Sequence, residues 1–377
     1  MHFRHRPSFI PSISLLFVLL SVLLAACGGG SNSTVTASST GTSTACKTSN
    51  HPSSAFNHTP AVAQLAAYSK GYNPTSRATT TLNNVSIGLG YIPNIQFAPF
   101  YVAQSKGYYQ AAGLNVTFHH GLVNDLIGSM VLGHDNFVFA SGDEELVARS
   151  KNLQVVNVAT IYQRYPVSLI VPADSTICTL ADIKGHTIGE PGPFGATHVG
   201  LLALLYHAHL SLSDVHVQAI GFTQVAALLT HKVDAVVGYS NNEPLQLRKQ
   251  GLQVRTFDVS DYQPLISNGI ITTENTLQNQ PDVVRGFVQA TIRGLKDVIA
   301  NPAEAVQLTQ KYVQGMDTGN AMSVLQATIP IWQGNDQIPL GYNDSATWQS
   351  MEQFMVAQKI IPPGQDLTQA YTNANIS

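Results

Sequence analysis

From Leu82 onward the apolar positions switch between a period of two and a period of three to four. VSIGLGYI (85–92) predicts a strand. FAPFYVAQSKGYYQAAG (97–113) predicts one helix ending at Gly113, a natural C′ glycine. NVTFHHG predicts a strand, and NDLIGSMVLGH a helix that Asn124 is placed to cap. NFVFAS, VVNVATIYQ, PVSLIVPA and HTIGEPG read as strands, with GDEELVARSK as a helix between the first two. In ATHVGLLALLYHAHL, Val199, Leu202, Ala203 and Tyr206 share one helical face. VHVQAI, DAVVGYS and VRTFDV are further strands, separated by helices TQVAALLTHK and NEPLQLRKQ. LISNGIITT (265–273) is a last strand, and the rest reads as helices such as PDVVRGFVQATIRGLKDVI. Strands alternating with helices imply an α/β class with a mostly parallel, covered sheet.

Two strands break the series. PVSLIVPA leaves the first βαβ run, and LISNGIITT returns to the helical end. They read as two crossings between lobes: 82–166 opens lobe 1, 167–266 forms lobe 2, and 267–377 returns to lobe 1 and ends in helices. Such a body has a cleft and a two-strand hinge, with a ligand between the lobes.

The chain's start carries different information. MHFRHRPSFIPSISLLFVLLSVLLAAC has arginines at 4 and 6, a short apolar run and small residues before Cys27. Residues 1–26 read as a signal peptide, and Leu24-Ala25-Ala26-Cys27 resembles a bacterial lipobox that would leave Cys27 acylated. Residues 27–81 open with a Gly/Ser/Thr tract and read as a tether from the membrane. Removing Arg4 and Arg6 from the 19 basic residues leaves 17 against 22 acidic ones, a net of −5. With no basic patch, nucleic acid is not an expected partner. Cys46 and Cys178 are the remaining cysteines, and one disulfide between them is an open alternative.

GEPGPFGAT (189–197) joins a strand to a helix. It lacks the lysine of a P-loop, and Gly189, Gly192 and Gly195 are spaced three apart, unlike a dinucleotide fingerprint. Two readings remain: a stiff turn, or a loop whose amides near Ala196 donate to a ligand oxygen. Thirteen histidines include His119-His120 and His207-x-His209, but neither pair has metal-protease spacing, and no metal or cofactor is expected. No G-x-S-x-G elbow is present, so no catalytic residue is assigned.

GYIPNIQFAPFYVAQSKGYYQAAGLNVTF resembles the first β-α-β of type II periplasmic solute-binding proteins. More narrowly, it resembles the family holding thiamine-pyrimidine precursor binders, yeast pyrimidine synthase and riboflavin-binding lipoproteins. ASGDEELVAR, ATIYQRYPVSLIV, ADIKGHTIGEPGPFGAT and IGFTQVAALLTHKVDAVVGYSNNEP extend the likeness, which covers about 82–313. ASGDE, YQRYP and YSNNEP are most similar to the riboflavin-binding branch. The resemblance implies a two-lobed fold with ligand contacts at the carboxyl ends of strands.

That rule selects Tyr91, Asn94 and Gln96 after the first strand, and Ser141, Asp143 and Glu144 after the third. Phe97 reads as core. The two acids can instead complement the helix dipole, and Arg164 can pair with either one. Tyr162 and Gln163 precede the first crossing. On lobe 2 the candidates are Gly192, Phe194, Gly195, Ala196, Thr197, Phe222, Thr223, Tyr239, Asn241, Asn242 and Glu243. Aromatics, amides and carboxylates with few cations suit a flat neutral heteroaromatic better than an oxyanion.

The resulting expectation is a lipid-anchored, exported solute receptor that delivers its ligand to an ABC permease. Riboflavin is the first ligand and a thiamine pyrimidine precursor the second. The alternatives are a pyrimidine synthase-like enzyme and a membrane-coupled sensor.

Overall fold

A computed structural model describes Cys46 and residues 82–334 and 338–376. The expected signal peptide, the lipobox cysteine Cys27 and nearly all of the expected tether lie outside the described residues. Among those described, no helix is long and apolar enough to cross a membrane.

The first lobe begins with β1 (Asn83–Leu89), α1 (Ala98–Ser105), α2 (Tyr108–Ala111), β2 (Leu114–His120), α3 (Val123–Val131), β3 (Phe137–Ser141), α4 (Gly142–Ser150) and β4 (Val155–Thr160). After a first crossing the chain forms β5 (Val167–Pro172), β6 (Thr187–Glu190), α5 (Gly195–His207) and β7 (His216–Ala219). Next come α6 (Gln224–Leu229), β8 (Ala235–Tyr239), α7 (Glu243–Lys249) and β9 (Val254–Asp258). A second crossing leads to β10 (Asn268–Thr273), α8 (Glu274–Asn279), α9 (Pro281–Ala300), α10 (Pro302–Thr309), α11 (Thr318–Gln333) and α12 (Ser345–Ala357).

There are two five-stranded sheets, ordered β2-β1-β3-β10-β4 and β7-β6-β8-β5-β9. β1 runs parallel to β2 and β3, and β6 parallel to β7 and β8. The two crossing strands are the antiparallel members: β10 against β3 and β4, and β5 against β8 and β9. In each lobe the strand that follows a crossing thus lies fourth in the sheet, between the parallel set and the edge strand.

Two local expectations are corrected. The helix expected over 97–113 is broken, because Gly107 adopts φ 72° between α1 and α2. That left-handed conformation suits glycine and ends a helix. Asn124 does not cap α3; it lies inside the helix, and Leu122 holds the cap position without a side-chain bond.

In the first core the Phe287 ring of α9 stacks on Phe137 at 4.2 Å and on Tyr109 at 5.1 Å. The second core gathers Leu169, Leu204 and Val237, and α12 reaches it with Trp348, Met351 and Phe354. The last helix therefore packs its apolar side into the cluster of the middle lobe. A disulfide joins Cys46 to Cys178 of the second lobe, with Cα atoms 5.4 Å apart.

Candidate functional site

The carboxyl ends of β1, β2, β3, β6, β7 and β8 turn toward one another across a cavity. Gly90, Tyr91, Gln96, Phe97, Leu122, Val123, Phe139, Glu144, Tyr162 and Asn268 line it from the first lobe and its crossings. Pro191, Phe194, Gly195, Ala196, Thr197, Phe222, Gln224, Tyr239, Asn242 and Glu243 line it from the second.

The turn after β1 is built locally. Asn94 accepts a hydrogen bond from the Gln96 amide through its side chain and starts a short 3-10 turn over Ile95–Phe97. This orients Gln96, whose Nε2 is buried and has no hydrogen-bond partner in the protein. His120 at the end of β2 holds the same turn. Its Nδ1 lies 2.9 Å from the Tyr91 carbonyl and its Nε2 3.1 Å from the Tyr101 phenol. Burial lowers the pKa of this imidazole, against the Tyr91 bond that favours its charged form. The Tyr91 ring meets Phe222 of the other lobe edge-on. Burial, then the Glu243 charge, pushes the Tyr91 phenol up to about 12.

Ser141 and Glu144 form a capping box at the start of α4. The Ser141 amide and hydroxyl both donate to Glu144 Oε2, each at 2.9 Å. Gly195 adopts φ 74°, and a Cβ there would sit 2.8 Å from Glu144 Oε1, which approaches from across the cleft. Glycine is needed for both reasons. The helix start expected to await a ligand oxygen is therefore already approached by a carboxylate of this chain. Burial pushes Glu144 up to about 7, with the Asp143 charge the second cause. Burial pushes Asp143 up to about 6, against hydrogen bonds from Ser141 and Tyr165. The Tyr165 hydroxyl lies 2.9 Å from both Asp143 Oδ1 and the Ala196 carbonyl. The two acids thus point to different neighbours yet share one electrostatic environment.

On the second lobe, Glu243 accepts from the Tyr239 amide at 2.7 Å and from Asn242 Nδ2 at 3.1 Å. Burial raises its pKa. The Tyr239 hydroxyl donates to Asn268 Oδ1 at 3.2 Å, linking β8 to the return strand. Tyr162 is buried against Phe139 and Trp332.

Of the residues selected from sequence, Tyr91, Gln96, Glu144, Tyr162, Phe194, Gly195, Ala196, Thr197, Phe222, Tyr239, Asn242 and Glu243 face the cavity. The others support it from behind. Asn94 and Ser141 cap turns, and Asp143 holds Tyr165. Gln163 donates to the Thr160 and Tyr342 carbonyls. Thr223 bonds the Ile220 carbonyl. Asn241 donates to Thr328 of α11 at 2.7 Å. Gly192 leaves room for the Phe194 ring, 2.6 Å from where its Cβ would be. Arg164 does not pair with Asp143 or Glu144; it turns outward to Asp261 at 3.5 Å. Phe97 is both core and cavity floor.

Sequence reasoning missed Gly90, Leu122, Val123, Phe139, Pro191, Gln224 and Asn268 among the lining residues. Leu122 and Val123 follow a parallel strand and obey the same carboxyl-end rule. Asn268 opens β10, and only an antiparallel strand brings its start to that edge. Among the described residues, no three histidine, cysteine, aspartate or glutamate side chains gather where they could hold a metal.

The chain is 40% identical to "Riboflavin-binding protein RibY" of Chloroflexus aurantiacus, over 84% of this chain and 90% of that protein. It is 25% identical to the 4-amino-5-hydroxymethyl-2-methylpyrimidine phosphate synthase of Legionella pneumophila, over 77% and 92% of the two chains. Its fold matches the periplasmic aliphatic sulphonate binding protein SsuA of Escherichia coli with a TM-score of 0.63 at 16% identity. That match covers 77% of this chain and 97% of the other. The family model described as NMT1/THI5 like matches residues 94–305, more than half of the sequence, and the chain belongs to that family.

Proposed function

We propose that this protein is an exported solute receptor of an ABC importer, which traps a flat heteroaromatic vitamin between its lobes. Riboflavin is the first ligand and a thiamine pyrimidine precursor the second. The observation that carries the reading is the cavity itself. Both lobes contribute aromatic rings, Gln96 offers an unused buried donor, and among the described residues no lysine, arginine or histidine lines the walls. Ring faces and amides select a neutral heterocycle by stacking and edge hydrogen bonds. The riboflavin-binding relative supports the choice of ligand.

The lobes already touch through Tyr91 and Phe222, through Asn241 and Thr328, and through the ion pair of Lys249 with Asp317. A ligand that adds contacts to both lobes favours this closed arrangement, and recognition of the closed form by the permease completes delivery. No bond is made or broken. The lipobox at Leu24–Cys27 supports anchoring at the outer face of the cell membrane.

The synthase-like alternative has less support. The described residues that line the cavity include no amine, imidazole or thiol, groups that often form or assist covalent intermediates. Titration with riboflavin, followed by quenching of flavin fluorescence, tests the receptor reading. Saturable one-to-one quenching is expected. Release of a pyrimidine product on incubation with pyridoxal phosphate and iron would sink it.

A further inference from the structure

Helix α5 spans 13 residues, and its first residues, Gly195, Ala196 and Thr197, line the cavity. Such a helix start attracts anions, because free N–H groups and the helix dipole converge there. In this protein the position is filled from within. Glu144 reaches across from α4 and lies so close to Gly195 that a Cβ would stand 2.8 Å from its Oε1. A second cavity carboxylate, Glu243, is held by the Tyr239 amide. Two candidate cations pair elsewhere: Arg164 turns away to Asp261, and His198 of α5 pairs with Glu190.

We propose that Glu144 is a specificity-determining residue that occupies the anion-binding end of α5 with its own carboxylate, so that the cleft accepts neutral ligands and rejects their phosphate or sulfonate forms. The inference rests on the reading of the cleft as the ligand site. An incoming anion must displace Glu144 from its place beside Gly195 or lie against its carboxyl group, with no cation among the described lining residues to compensate. A neutral ligand meets no such conflict. It can accept from Gln96 Nε2, which has no protein partner. The same carboxylate takes both Ser141 donors at the start of α4, which hold it in place beside Gly195 of the other lobe.

The test uses two pairs of probes on the full chain: riboflavin with its 5′-phosphate, and 4-amino-5-hydroxymethyl-2-methylpyrimidine with its phosphate. Calorimetric titration should show the alcohol of one pair binding at least about 100-fold more tightly than its ester, the scale of a buried like-charge contact. Glu144→Gln and Glu144→Ala, each checked for folding by thermal melting, should narrow that ratio at least about tenfold, or about 1.4 kcal/mol. Folded variants that keep the wild-type ratio overturn the inference. If neither variant folds, the wild-type ratio decides, and equal affinity for alcohol and ester overturns it while leaving the cleft as a ligand site. A wild-type protein that binds none of the four compounds overturns the receptor reading, and this inference with it.

Discussion

The ring of Tyr91 meets the ring of Phe222 edge-on, with centroids 4.9 Å apart and planes at 87°. One residue follows β1 of the first lobe and the other follows β7 of the second, so this aromatic contact joins the two lobes at the cavity wall. Tyr91→Ala and Phe222→Ala should each weaken riboflavin by about 1–2 kcal/mol, combining lost stacking with lost burial. Because the two rings touch, the double variant should lose less or more than the sum, with a coupling of about 0.5–1.5 kcal/mol. Calorimetric titration of the four proteins measures it. Strict additivity would show that the pair does not act as a unit.

The deeper rings behave differently. Tyr162 is fully enclosed by Phe139 and Trp332, so it is core as well as cavity wall. Tyr162→Ala should cost about 3–5 kcal/mol of stability along with affinity. Tyr239→Phe keeps the ring and removes only the bond to Asn268. It should cost about 0.5–1.5 kcal/mol in stability and leave ring stacking in place. Thermal melts beside flavin titrations separate the two effects. A Tyr162→Ala protein as stable as the wild type would contradict the packing described here.

The fold was legible because the apolar pattern changes period at each element and because the two crossings appear as the odd strands. PVSLIVPA and LISNGIITT are indeed the antiparallel members of the two sheets. Gly107 was not legible as a break, since its neighbours keep a helical pattern and only the backbone angle reveals the turn. The site was legible where it obeys the carboxyl-end rule, as at Tyr91, Glu144, Phe222 and Tyr239. It was hidden where a side chain of the right type turns away. Asn241 has the chemistry of a ligand contact, yet it ties β8 to α11. The approach of Glu144 to Gly195 brings together residues far apart in sequence, and no local pattern encodes it.

Acid strength gives a third expectation. The Glu144 carboxyl is raised from 4.5 to about 7, chiefly by burial and then by Asp143. A carboxyl raised in the folded state binds its proton more tightly there than in the unfolded chain. Its contribution to stability is therefore complete below pH 4.5 and is lost as pH rises through about 7. Asp143, Tyr165 and Tyr239 face the same carboxyl; Asp143, raised to about 6, titrates in the same range, while burial keeps both phenols protonated there. Glu144→Gln should flatten the decline of melting temperature between these limits. A variant whose pH profile overlays the wild type would place the titrating group elsewhere.

The bond between Cys46 and Cys178 closes a loop with a sequence separation of 132. Cys178→Ser should lower stability by about 2–4 kcal/mol, through greater freedom of the unfolded chain. Thermal melts with and without reductant check this. Reductant should affect the wild type and leave the variant unchanged.

Anchoring is tested apart from binding. Cys27→Ser should move the protein from the membrane fraction to the soluble one without altering its titration curve. A variant that still fractionates with membranes would place the anchor at another residue.

Native mass spectrometry of the freshly purified protein addresses the central claim most directly. The account predicts a yellow sample carrying one flavin with the mass of riboflavin and not of its phosphate. A protein that carries no flavin and acquires none when riboflavin is added in excess would contradict it.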